Sequence, residues 1–117
     1  SKDELLVLGA QQESQHFLGV TFFKQYTQRR IQKKIKMRLL FNHDAIETAK
    51  SYSNLSYTKV KILPKGVIVP TAMDIYPDKV SILLLRDKPL VFHIDCKEVS
   101  DSYKAYFEFL WDSAKEL

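Results

Sequence analysis

Apolar residues along this chain follow two rhythms, and the switches between them predict its elements. Leu5-Leu6-Val7-Leu8 is a continuous apolar run closed by Gly9, the pattern of a strand buried on both faces. From Glu13 to about Lys33 there is no proline, and Phe17, Leu18, Thr21, Phe22 and Gln25 recur at three- and four-residue spacings, which predicts a helix with one inward face. Ile35, Met37, Leu39 and Phe41 then alternate with Lys36, Arg38 and Leu40, the period of a strand. Asp44 and Glu47 have the spacing of a capping box, and the helix they open carries Ala45, Ile46, Ala49 and Tyr52 on one stripe. Tyr57 to Leu63 alternates again until Pro64-Lys65-Gly66 interrupts it.

The second half is richer in strands. Thr71 to Tyr76 and Val80 to Leu85 read as a hairpin around Pro77-Asp78-Lys79, and Leu90 to Ile94 as a further strand after the Arg86-Asp87-Lys88-Pro89 turn. Asp95 and Glu98 repeat the capping-box spacing ahead of a helix whose apolar face is Val99, Tyr103, Tyr106, Phe107, Leu110, Trp111 and Ala114. The order β-α-β-α-β-β-β-β-α predicts one α/β domain over residues 1–117, a mixed sheet with helices on both faces.

The stretch from Val69 to Trp111 also carries a resemblance. Its Ile75-Tyr76-Pro77-Asp78-Lys79-Val80 hairpin precedes a helix ending Phe107-Glu108-Phe109-Leu110-Trp111. That order resembles the regulatory, phospholipase-D-like domain of archaeal transcription regulators of the TrmB type, in which a winged helix comes first. The resemblance implies a phospholipase-D-like fold, a homodimer, a small-molecule effector, and DNA contact through a winged helix absent from this sequence. On that reading the chain is a piece of a longer regulator. Phospholipase-D enzymes carry His-x-Lys-x-x-x-x-Asp on this hairpin, and the matching positions here are Thr71, Met73 and Asp78. A hydroxyl without an activating base and a thioether supply neither the nucleophile nor the phosphate-neutralising cation. The resemblance therefore implies the fold without the catalysis, and Asp78 is also the residue type that a tight turn prefers.

Composition narrows the class. A chain of 117 residues, 45% hydrophobic and 27% charged, is large enough to bury one core. Its apolar runs are far shorter than a membrane span, so no membrane partner is expected and the reading is cytoplasmic. The single cysteine, Cys96, excludes an internal disulfide and by itself makes no structural zinc site. The net charge of +4 is concentrated between Gln28 and Arg38, where Arg29, Arg30, Lys33, Lys34, Lys36 and Arg38 meet no acid. Such a run ordinarily marks the solvated end of a helix, where cations oppose the macrodipole. The sharper reading makes Arg29, Arg30, Lys33 and Lys34 a nucleic-acid contact.

Other chemistry is sparse. His16, His43 and His93 are scattered, and the His93–Cys96 pair straddles a strand end and a helix start, so both are expected to be structural and no metal is expected. Gly9, Gly19 and Gly66 are isolated, which leaves no phosphate loop and no cofactor. Binding is what remains. Ligands of α/β sheets collect at the carboxyl ends of the strands, which points to Ser14, Asn42, His43 and Thr71 as polar contacts for an effector, with Met73 as an apolar wall. Phe109 falls off the inward stripe of the last helix, and with Trp111 it makes a candidate dimer face. The expected function is a non-catalytic effector-sensing and dimerisation domain of a transcription regulator. The alternative is a stand-alone module that binds a protein or nucleic acid and takes no small molecule.

Overall fold

Seven strands form one sheet in the computed structural model, which describes residues 4–10, 20–67, 69–84 and 86–117, with the backbone alone over 20–23. In chain order the elements are β1 (Leu5–Ala10), α1 (Val20–Gln32), β2 (Met37–Phe41), a 3-10 turn (His43–Ala45), α2 (Ile46–Ser53), β3 (Thr58–Ile62), β4 (Ala72–Ile75), β5 (Val80–Leu84), β6 (Leu90–Ile94), α3 (Lys97–Ser113) and β7 (Lys115–Glu116). The sheet runs β6-β5-β4-β1-β2-β3-β7. β1, β2 and β3 are parallel, and β4, β5 and β6 form an antiparallel meander joined to the other side of β1. The α/β order predicted from the pattern holds, with β7 added where the chain turns back onto β3. That two-residue strand carries only charged side chains and is made by backbone pairing, so no periodicity announces it.

β1 lies in the middle of the sheet, which explains its unbroken apolar run. Leu5 and Val7 join Met37, Leu39, Phe41, Val60 and Ile62 in a cluster covered by Tyr26 of α1 and by Ala49 and Tyr52 of α2. Leu6 and Leu8 face the other way, with Leu40, Ile75, Val80 and Phe107 of α3. Both parallel crossovers thus place their helices on one face, as right-handed connections require, and α3 covers the other. The rings of Phe41 and Tyr52 meet at 5.5 Å between centroids.

Local details depart from the pattern in three places. Gln25 is exposed, and among the described side chains of α1 it is Tyr26, with Arg30 one turn later, that turns inward. Phe17 and Leu18 lie outside the described residues, as do the side chains of Thr21 and Phe22. Neither capping box forms: the N-cap positions fall to Ala45 and Cys96, which make no side-chain cap bond. The cause is displacement. Asp44 is absorbed into the 3-10 turn ahead of α2, and Cys96 stays extended at φ −153°, so α3 starts one residue later than the Asp95–Glu98 spacing requires. Glu47 lies 3.6 Å from Lys50, and Glu98 accepts a contact from Cys96 Sγ at 3.8 Å.

Candidate functional site

The carboxyl ends of β1 and β2 meet the chain entering β4. β1 continues past Gly9, which adopts φ +77° where the register with β2 shifts. A Cβ at Gly9 would lie 2.7 Å from Thr71 O and 2.8 Å from Val69 Cγ1, so only glycine lets residues 69–71 cross here. Asn42, buried at the end of β2, grips the same segment. Its Nδ2 donates to Val69 O at 2.9 Å, and the Val69 N–H donates to its Oδ1 at 3.0 Å. One N–H and the carbonyl oxygen of the amide are thereby engaged, so Asn42 fixes the wall of the site. His43 follows, half-buried, with its Nδ1 buried and without a hydrogen-bond partner among the described residues. Asn42 is thereby tied to the Val69 crossing, with His43 next to it in the chain and the half-buried Thr71 two residues beyond the crossing. Met73 pairs with Leu8 across the β1–β4 ladder and packs into the core beneath α3. Ser14 lies outside the described residues. Asp78 sits exposed in the β4–β5 turn, which the Tyr76 N–H closes onto Lys79 O at 2.9 Å.

The basic segment divides into a surface and an interior. α1 ends in a Schellman motif: the Ile35 N–H donates to Arg30 O at 3.1 Å and the Lys34 N–H to Ile31 O at 3.0 Å, with Lys34 at φ 57°. Arg30 turns inward and is only 4% exposed. Its Nη1 donates to Ile35 O at 3.0 Å and Tyr57 O at 3.1 Å, and its Nη2 to Thr58 Oγ1 at 2.7 Å. Burial lowers its pKa, because the charged form loses hydration. Arg30 thus ties α1 to the starts of β2 and β3, and as a surface contact for nucleic acid it is corrected. Its place one turn after Tyr26 was the available signal. Arg29, Lys33 and Lys34 stay exposed, as do Lys36 and Lys59.

A second polar cluster was not foreseen. Arg38 donates from Nε and Nη2 to the two oxygens of Glu4, at 2.9 and 3.1 Å, and from Nη1 to Glu108 at 2.9 Å. Its guanidinium also lies over the Phe107 and Trp111 rings, at 5.3 and 5.2 Å. The bond to Arg38 holds the Glu108 carboxyl below its usual range. Lys61 sits 4.8 Å from the Trp111 ring and donates to Trp111 O at 3.0 Å. The two dimer candidates therefore differ: Trp111 is half-buried among these cations, and Phe109 is 75% exposed.

His93 is exposed, with Nδ1 3.1 Å from Ser81 Oγ, and Cys96 is half-buried. Among the described residues there is no group of three or more metal-type ligands, and no helix is long and apolar enough to cross a membrane.

No family model matches the chain, and no curated protein matches it significantly. A solved structure decides the fold. Over nearly all its length the chain is similar to TrmBL2. The TM-score is 0.66 at 17% identity, and that structure is described as an archaeal chromatin protein that shows a novel mode of DNA binding. The match takes in 97% of this chain and 45% of TrmBL2, so the chain spans less than half the length of that protein. What the likeness to TrmBL2 establishes is the architecture: a mixed sheet with helices on both faces.

Proposed function

We propose that this chain is a non-catalytic effector-sensing and dimerisation domain of a TrmB-like archaeal transcription regulator. It works in the cytoplasm and reaches DNA through a winged helix outside this sequence. One observation carries the reading: the chain shares its fold with a DNA-binding protein over 97% of its own length and 45% of the other's, leaving room in such a protein for a separate DNA-reading part. The effector would sit at the Val69 crossing beside the half-buried Thr71, and a small shift there would give it the His43 Nδ1, which is buried without a hydrogen-bond partner among the described residues. Its binding would favour one packing of the domain over another, which needs differential affinity for the two states. Thr71 and Met73 in place of the catalytic pair, with Met73 packed in the core, support a non-enzyme. Exposed apolar surface on α3 and β6 supports a homodimer.

A thermal-shift screen of the chain against neutral sugars tests the sensor. A ligand at 100 times its Kd stabilises by about 2.7 kcal/mol, and the shift should vanish in Thr71→Val and His43→Gln. A flat screen, or a shift that both variants leave intact, sinks it.

The second reading, a stand-alone nucleic-acid module, is favoured by the exposed Arg29, Lys33, Lys34, Lys36 and Lys59. It requires binding to random duplex DNA that falls steeply with salt and is lost when Arg29, Lys33 and Lys34 become Glu.

A further inference from the structure

At the end of the sheet opposite the Val69 crossing, α1 and the chain entering β1 and β2 border a cavity of about 310 Å³. That lies at the small end of ligand pockets, roughly 300 to 1,000 Å³. Arg29 and Lys33 line it from exposed positions and Arg30 from a buried one. None of the three forms an ion pair among the described residues, and the one acid on the wall, Glu4, has both oxygens held by Arg38. Arg30 supplies the independent sign of a missing partner. It is 4% exposed, its Nη groups are used on carbonyl oxygens and a hydroxyl, and its Nε is buried with no acceptor. A buried guanidinium lacking a counter-anion costs free energy that a bound anion would return.

The remaining walls suit an organic body. Tyr26 and Tyr76 line the cavity, and burial pushes both phenols up, Tyr76 to about 12, so they stay protonated and able to donate. Asp74, behind the two tyrosines, is close enough to push both phenols up further. Three cations therefore outnumber one acid that no ion pair holds among the described residues; the excess of positive charge suits a dianion, and a guanidinium fork matches phosphate oxygens. We propose that this cavity binds a small phosphate monoester, with Arg29 and Lys33 holding the dianion, the Arg30 Nε–H donating to one oxygen, and Tyr26 and Tyr76 flanking the organic part. A duplex phosphodiester would meet Arg29 and Lys33 without reaching Arg30. The site is separate from the Val69 crossing, and either one can fail without the other.

Calorimetric titration of the full chain with glycerol 3-phosphate, glycerol, inorganic phosphate and a short DNA duplex tests it. The ester should bind and glycerol should not, with affinity reduced about tenfold or more in Arg29→Ala/Lys33→Ala. Both substitutions are at exposed positions, and unchanged circular dichroism checks the fold. Tyr26→Phe should weaken the ester more than inorganic phosphate, and Thr71→Val should leave it unchanged. No ester binding at millimolar concentration, equal binding of glycerol, or an undiminished double variant would overturn the proposal. Displacement of the ester by equimolar duplex would reassign the cations to nucleic acid.

Discussion

Lys34 stands where a helix end usually has glycine. Its φ of 57° closes the Schellman turn of α1, a conformation that costs a side-chain-bearing residue about 1 to 2 kcal/mol. Lys34→Gly is therefore expected to stabilise the chain by about 0.5 to 1 kcal/mol, after the entropy glycine adds to the unfolded state, and a higher urea midpoint is the check. Asp74 makes a pH-dependent case. It pairs with Val7 in the β1–β4 ladder, and desolvation pushes its pKa up to about 6 from 3.8. As pH falls, the folded state takes up this proton before the unfolded state does, so this group makes the protein more stable from about pH 7 down to about pH 4. Asp74→Asn should raise stability at pH 8 by about 1 to 2 kcal/mol, since the carboxylate keeps some water contact, and flatten the slope between about pH 4 and 6. Urea midpoints across that range decide it.

Elements were the most legible level of this protein. α3 was readable because Val99, Tyr103, Phe107, Leu110 and Trp111 recur at helical spacing and do pack together beneath the sheet. Tyr106 leaves that stripe and is exposed, because the buried arc is narrower than the apolar one. What the pattern missed are the ties between elements. Ser100, buried in α3, donates through Oγ to Tyr76 O and docks the helix on the β4–β5 turn. Arg38 reads as the polar face of a strand, yet it is drawn under α3 by Glu4 and Glu108. Asn42 reads as a loop residue and is a clamp. Asn42→Ala removes both bonds to Val69 and should cost about 2 to 3 kcal/mol, measured by chemical denaturation. It should also loosen Thr71, and so weaken any ligand held at the crossing.

At the scale of the molecule, β6 is an edge of the sheet with no further strand beside it among the described residues. Leu90, Val91 and Phe92 are 42%, 61% and 56% exposed, with no charge or proline inside the strand to discourage pairing. The proposed homodimer has a second candidate surface in Tyr106 and Phe109 on α3. Strand pairing adds backbone hydrogen bonds to apolar burial, so Val91→Lys/Phe92→Lys is expected to lower self-association in sedimentation velocity more than Phe109→Lys. The opposite ranking would put the dimer on α3, and a monomeric parent chain would remove it altogether.

The order of strands and helices, the two-faced burial of β1 and the apolar face of α3 were determined by the sequence alone, because they rest on periods of two to four residues. Sheet order, the glycine bulge, the inward turn of Arg30 and the β7 pairing were decided only by the tertiary structure. The physical reason is distance along the chain: Asn42 meets Val69 across 27 positions, Arg30 meets Thr58 across 28, and Arg38 meets Glu108 across 70. No local pattern encodes such meetings, because each polar side chain reads as solvated until the fold removes the water and supplies the partner.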